Sequence, residues 1–340
     1  LIEQNKKQED SVVTEDIYYK VTIDYKNGSS PEEIIVKSGE LVYPEVFSYS
    51  GHYFLGWFVD EKKLTSAIPI TKDTYIYAKW SIKESVTIEK DYYEYYESYD
   101  GAVIVSSKLE EKEVIEIPSH LNNLKVVGME NGAFSAYYHN NSTITKEIII
   151  PDSVKYIGSS VFNYYLVLEK VTFPKELEEL MCNAFSYCSN IKTINIGRGA
   201  TNFKVVNNCL IDKRTNTLIK GCNNSIIPDG IKTIEKYAFA HIEDIKELVI
   251  PESVSQIKAS AFSHCTGLEK VVLPENLLTI DESLFYDCIN LKEVYIGKNV
   301  SSIKELAFMN CSTLEKIVVS ADNPCYVTLN YCLVEKETMK

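Results

Sequence analysis

Phenylalanine recurs at Phe134, Phe162, Phe185, Phe239, Phe262, Phe285 and Phe308, at intervals of 28, 23, 54, 23, 23 and 23 residues. A fixed period of this length means stacked copies of one structural unit, and the interval of 54 holds two units with an insertion. The unit reads L-x-x-V-x-L-P-x-x-x-L-x-x-I-x-x-x-A-F-x-x-C. One copy runs Leu268, Val271, Leu273, Pro274, Leu277, Ile280, Leu284, Phe285 and Cys288. Its first apolar residues alternate with period two, as in a strand, and the proline that follows cannot donate to a ladder and ends it. Later apolar residues at spacings of three to five suit tight turns. One unit cannot bury its apolar side alone, so the copies must pile into a solenoid with a parallel β-sheet on the concave face. The columns agree along the chain. Ile148, Val171, Ile194, Leu248, Val271, Val294 and Ile317 form one inward column; Ile150, Phe173, Ile196, Ile250, Leu273, Ile296 and Val319 form the next. The fold class expected is therefore mainly β.

The stretch IPESVSQIKASAFSHCTGLEKVVLP resembles the leucine-rich repeats of the BspA type, also called the Treponema pallidum type, over roughly residues 98–340. That resemblance implies a surface-exposed bacterial protein, in some cases an adhesin. Residues 19–80 differ in character. YKVTIDY and TYIYAKW alternate as strands, KNGSS is a turn, and both tryptophans, Trp57 and Trp80, fall here. Gly51, Phe54, Gly56 and Trp57, followed by Tyr77 to Trp80, resemble the Listeria–Bacteroides repeat, also known as the internalin B-repeat. It implies a small β-grasp-like spacer in bacterial surface proteins. The expected organisation is a flexible segment at 1–16, this module at 17–81 and the solenoid at 82–340. Within the solenoid we expect a capping segment at about 82–101, an insertion at about 200–222 and a truncated last unit at about 320–340. The two tryptophans serve either as core or as a ligand platform, and small β-rich cores favour the first.

The cysteine column reads Tyr165, Cys188, Ile242, Cys265, Cys288 and Cys311. Tyrosine and isoleucine share the place, so it asks for a buried filler, a role free cysteine meets. Zinc needs four converging ligands, whereas stacked turns set thiols in a line. Disulfides stay open, because neighbouring turns lie about 5 Å apart, within bridging range. The insertion reads as two strands, Val205–Asp212 and Thr217–Lys220. Its start, Asn208 to Lys213, is matched by Tyr331 to Lys336 near the end, so the natural protein is expected to continue beyond Lys340.

With 35 basic against 48 acidic residues the formal net charge is −13, which argues against nucleic acid. No apolar run is long enough to span a membrane. The first residues lack the apolar core of a signal peptide and a starting methionine, so a fragment or mature form is expected. His52, His120, His139, His241 and His264 fall on positions that read as unrelated. No G-x-S-x-G, H-E-x-x-H or phosphate loop is present, and a Cys265–His264 nucleophile lacks an evident orienting acid. The reading is non-enzymatic, with no cofactor or metal.

Candidate partner contacts come from two places. Lys146, Glu169, Lys192, Asn223, Lys246, Glu269, Lys292 and Glu315 in one strand column, and Glu147, Lys170, Thr193, Asn224, Glu247, Lys270, Glu293 and Lys316 in the next, alternate in sign except at Thr193 and the Asn pair, and should pair across turns. That leaves a strip at Val249, Val272, Tyr295 and Val318, read either as a contact surface or as sheet propensity. Tyr92, Tyr93, Tyr95 and Tyr96 in EKDYYEYYESYDG read either as a cap or as a stacking surface for sugar or protein. Two functions follow: adhesion or recognition of host or neighbouring-cell protein or glycan at the cell surface, or a passive stalk presenting another domain.

Overall fold

The computed structural model describes residues 16–46, 49–138, 140–329 and 332–337. The expectations for segment 1–15, His139, Tyr331 and the last three residues lie outside those described. The chain divides into two compact units, 1–83 and 84–340.

In the first unit Tyr18–Asp24 and Glu32–Lys37 form an antiparallel hairpin. Its turn carries Gly28 at φ +92°, a value glycine adopts without a Cβ clash. Tyr18–Asp24 also pairs in parallel with Thr74–Ile88, and His52–Val59 runs antiparallel to that same strand. The register slips between Phe54 and Gly56, a bulge that re-aims the next side chain. Trp57 lands fully buried, with Tyr25 and Phe54 edge-on to it at 5.3 and 5.4 Å. Trp80 Nε1 donates to Tyr25 O at 2.6 Å. Both indoles are thus spent on packing. Among the described residues of this unit there is no helix.

The second unit is a parallel-sheet solenoid. It opens with Asp91–Glu97 antiparallel to Ala102–Lys108. Strand alternation sends Tyr93 and Tyr95 inward, 2% and 0% exposed, while Tyr92 and Tyr96 stay half-exposed. Tyr93 lies 6.3 Å from Phe134, against the first phenylalanine of the repeat column. This corrects the reading of Tyr93 and Tyr95 as a stacking surface: the first repeat has no preceding turn to cover it, and these two rings do so.

One sheet stacks Val114–Glu116, Glu147–Ile149, Lys170–Phe173 and Thr193–Ile196; beyond the insertion a second stacks Glu247–Val249, Lys270–Val272, Glu293–Ile296 and Lys316–Val319. Ile148 faces Val171, which faces Ile194, and Leu248, Val271, Val294 and Ile317 follow in the same register. Behind them the phenylalanine rings stack at 5.6 and 5.0 Å from Phe134 through Phe162 to Phe185, and at 5.2, 5.7 and 5.6 Å from Phe239 through Phe262 and Phe285 to Phe308. Backbone bonds set that spacing: Phe262 N–H donates to Leu284 O and Phe285 N–H to Ala307 O, each one turn ahead.

The insertion departs from the expected two strands. It forms three, Phe203–Val206, Cys209–Asp212 and Thr217–Lys220. The break falls at Asn207 and Asn208, with φ of +49° and +59°. Asparagine tolerates the left-handed region, and two such residues in sequence make a tight hairpin turn rather than a continuous strand. Cys209–Asp212 is buried on both faces: Leu210 joins the core of the earlier repeats, and Cys209 and Ile211 join that of the later ones. Tyr326–Leu329 and Cys332–Glu335 repeat the same hairpin pairing.

All nine cysteines are free. The column does more than fill space. Cys188 Sγ donates to Phe162 O at 3.0 Å, and Cys265, Cys288 and Cys311 donate to Phe239, Phe262 and Phe285 O at 3.2 Å each. Tyr165 Oη makes the equivalent bond to Phe134 O at 2.9 Å. The place therefore calls for a buried donor, and Ile242 is the exception. Burial pushes the Cys188 and Cys209 thiols up to about 12, so they stay protonated and unreactive. In the native protein a thiol-alkylating reagent is expected to modify exposed Cys332 first and to leave Cys188, Cys209, Cys222, Cys265 and Cys288 untouched until denaturant is added. Mass spectrometry of both states checks this; native labelling of Cys288 would refute it.

Candidate functional site

The sheet face carries the paired columns. Lys170 meets Glu147 at 2.7 Å, Lys192 meets Glu169 at 3.1 Å, Lys270 meets Glu247 at 3.0 Å, and Lys316 pairs with Glu293. Glu269 holds both Lys292 at 2.7 Å and Lys246 at 3.7 Å. These charges neutralise one another across turns, and such surface pairs add little stability individually. Along the strip, Val249 is 61% exposed and its column neighbour Ile226 71%, whereas Val272, Tyr295 and Val318 are half-covered. Tyr295 is engaged from both sides, with the Lys270 and Lys316 ammoniums each 5.6 Å from its ring centre.

A second surface, unmarked by the sequence reading, lies on the turns that follow each phenylalanine. From Phe162 onward the residue two places after it is Tyr164, Tyr187, His241, His264, Asp287 or Asn310, with φ between +57° and +64° in all six. Asparagine, aspartate and histidine enter this region readily; tyrosine does so at a cost, and such strain is concentrated at functional positions. The side chains form one ladder. Tyr164 and Tyr187 stack at 4.4 Å, Tyr187 and His241 lie 4.1 Å apart across the insertion, and His241 and His264 stack at 4.5 Å. Tyr137 extends it at 4.8 Å from Tyr164. His264 Nδ1 sits 3.2 Å from Asp287 Oδ2, and Asn310 Nδ2 donates to Asp287 at 2.6 Å. Tyr187 is 41% and Tyr137 57% exposed.

The two histidines are thus not on unrelated positions, as read from the sequence; they occupy the same place in consecutive units. Counting two residues on from each phenylalanine would have revealed the column. Asp287 also supplies an acid beside His264 that the sequence did not show. Cys265 nonetheless turns inward to a backbone carbonyl, so the thiol and imidazole do not form a nucleophilic pair. Among the described residues no cluster of three or more His, Cys, Asp and Glu could hold a metal ion.

Beside the ladder lies a cleft of about 350 Å³. Its walls come from the residues flanking the phenylalanine in four turns: rings of Tyr187, Tyr237, His241, His264 and Tyr286, with hydroxyls of Ser186, Ser260, Ser263 and Ser283 and the Asn183 amide. No aliphatic side chain and no carboxylate lines it. Ser186 and Tyr237 also line a second, narrower recess, whose wall includes Lys220. Lys220 is 6% exposed. Burial pushes its pKa down.

Burial, the neighbouring His264 and Lys220 together hold His241 down to about 4. A histidine buried neutral contributes stability above its unfolded pKa near 6.5, and this is lost as pH falls toward 4. The full shift corresponds to about 3 kcal/mol, and for a half-exposed ring about 2 kcal/mol is expected. His241→Asn, which places at 241 the residue found at 310, should flatten the fall in stability between pH 6.5 and 4. Urea unfolding at several pH values measures it; parallel curves for both proteins would refute the assignment.

Parallel strands recurring at one-unit spacing, ended by proline and backed by a phenylalanine stack, define a leucine-rich-repeat solenoid. The chain belongs to the BspA type leucine rich repeat family, whose repeat region it matches in six copies over residues 132–218 and 211–326. Among solved structures it is similar to a leucine rich cell surface protein from Faecalibacterium prausnitzii A2-165, at 18% identity over 70% of this chain and 95% of that one, with a TM-score of 0.40. It is also similar to the pneumococcal vaccine antigen PcpA, at 18% identity over 71% and 83%, TM-score 0.46. The Treponema pallidum leucine rich repeat protein is 24% identical over 65% and 87%, TM-score 0.40. No curated protein matches the sequence.

Proposed function

We propose that the chain is a non-enzymatic recognition protein of a bacterial cell surface, gripping an extracellular glycan or protein with the turn edge of its solenoid. The observation that carries this is the ring ladder from Tyr164 to His264, held on left-handed backbone beside a polar cleft. Tyr187 and Tyr137 are exposed and the other rings of the ladder are half-buried, and aromatic rings that present both a face and a polar tip are the side chains on which recognition surfaces most depend. Membership of the BspA type family and the resemblance of residues 17–81 to the Listeria–Bacteroides repeat both support a surface location, with the first unit as a spacer. The self-neutralised sheet face favours a second reading, a passive stalk.

An array of glycans and matrix proteins separates the two. A saturable ligand lost in Tyr187→Asn supports recognition through the edge; Asn310 shows that asparagine fits this left-handed position. A ligand that survives Tyr187→Asn but is lost in Val272→Lys and Tyr295→Lys moves the contact to the strip at Val249, Val272, Tyr295 and Val318. No ligand at all supports the stalk.

A further inference from the structure

We infer that the turn-edge cleft is a subsite for an uncharged linear polysaccharide with β-1,4 linkages, lying along the solenoid with one sugar unit on each turn. The inference rests on the recognition reading above and adds the ligand's chemistry and direction.

The first observation is how the cleft is built. Phe162, Phe239, Phe262, Phe285 and Phe308 are each flanked by two left-handed residues, two places before and two places after. The later place is the ladder. The earlier place holds Ser160, Tyr237, Ser260, Ser283 and Leu306, with φ between +53° and +60°, and Asn183 stands there before Phe185. Both columns wall the cleft: Asn183, Tyr237, Ser260 and Ser283 from the one, Tyr187, His241 and His264 from the other. It therefore crosses four turns.

The second observation is its period. Ring centres lie 5.2 and 5.7 Å apart from Phe239 through Phe262 to Phe285, and 4.1 and 4.5 Å apart along the ladder from Tyr187 through His241 to His264. An extended β-1,4-linked chain of pyranoses advances by close to that distance per sugar, so each unit meets the same kinds of group as the last. An extended peptide advances about 3.3 Å per residue and falls out of step. An α-1,4 linkage coils the chain and loses the match as well.

The third is the chemistry of the wall. No lysine, arginine, aspartate or glutamate lines the cleft. His264 is balanced by Asp287, and His241, held down to about 4, is neutral at ordinary pH. An ionic ligand finds no counter-charge there, and an uncharged one needs none. The ladder rings spend their faces on one another, so they turn edges and polar atoms outward. Ser186 Oγ donates to Asn183 O and Ser263 Oγ to Ser260 O, which leaves both oxygens as acceptors. Ser260 and Ser283 are half-exposed in the same wall, and a hydroxyl can give or take a hydrogen bond. Sugar hydroxyls do both, whereas an apolar peptide anchor finds no aliphatic surface to meet. The volume of about 350 Å³ is at the small end of ligand sites and suits a single chain rather than a folded epitope.

The test is calorimetric titration of the 340-residue chain with cellobiose and cellotetraose, chitobiose and chitotetraose, and maltotetraose as the α-linked control. In the cello or the chito series the tetraose should bind about ten-fold more tightly than its disaccharide and about ten-fold more tightly than maltotetraose. The series that responds identifies the group at the sugar's second carbon. Ser260→Gly combined with Ser283→Gly should weaken that tetraose about ten-fold and leave urea unfolding little changed. Glycine enters left-handed backbone freely, and Gly132 already holds this place before Phe134, at φ +72°. Disaccharide and tetraose binding equally well would overturn the seating of one unit per turn. Maltotetraose binding as well as the β-linked chains would overturn the match of period. Affinity untouched by the double glycine variant would overturn the cleft as the site. Failure of all five sugars to bind, with an array ligand still lost in Tyr187→Asn, would overturn the sugar chemistry but not recognition at the edge; failure of all five with no array ligand would overturn both.

Discussion

Gly221→Ala is expected to lower stability by about 3 kcal/mol, the upper end for overpacking a rigid interior. Gly221 is buried at the seam between the two cores. A Cβ there would stand 2.1 Å from Phe239 Cε1 and 2.5 Å from Cζ. The ring cannot swing aside, because it is fully buried and stacked on Phe262 at 5.2 Å. The glycine cannot retreat either, since its N–H donates to Ala238 O at 2.9 Å. Either the inserted strand shifts or the phenylalanine stack loses its first member. Trimming the ring should relieve the clash, so Gly221→Ala combined with Phe239→Leu is expected to be less destabilised than the sum of the two single changes. Denaturant unfolding of the four proteins gives that coupling directly. Additive losses would mean that the methyl is accommodated elsewhere.

Lys220→Met carries the opposite sign. Replacing a buried amine with an apolar side chain of similar length should raise stability by about 2 kcal/mol. The pH dependence identifies the cause. Because the native pKa is lowered, the unfolded chain binds the proton more tightly between that value and about 10.4, so wild-type stability should climb as pH rises through this window. Lys220→Met should lose that part of the climb. A destabilised variant would show that the ammonium is satisfied in the native state. A gain would show that burying Lys220 costs the fold stability.

The repeat was legible in the sequence because its determinants are local and recur. Period-two alternation, a proline stop and a phenylalanine at fixed spacing each say the same thing in every copy, and the charge columns follow once strands are stacked. The insertion was harder. Val205 to Asp212 reads as one apolar strand, and only the left-handed pair Asn207–Asn208 divides it. The EKDYYEYYESYDG tyrosines gave no sign of which were outward, because a strand's phase is set by what it covers, here the layer at Phe134. The edge ladder was overlooked for a different reason. Its members differ in type, tyrosine then histidine then aspartate then asparagine, and they share only backbone conformation, which composition does not display. Lys220 was silent as well, since its burial depends on the inserted hairpin folding between two blocks.

The strand Cys209–Asp212 works as a bulkhead. In a solenoid each turn leans on its neighbours for cover, so an end without a cap leaves a core layer open. Here a wall with apolar side chains on both sides closes each compartment. Each block of turns thus has its own covered end layer, while the rings of Tyr187 and His241 keep the outer edge continuous over the partition.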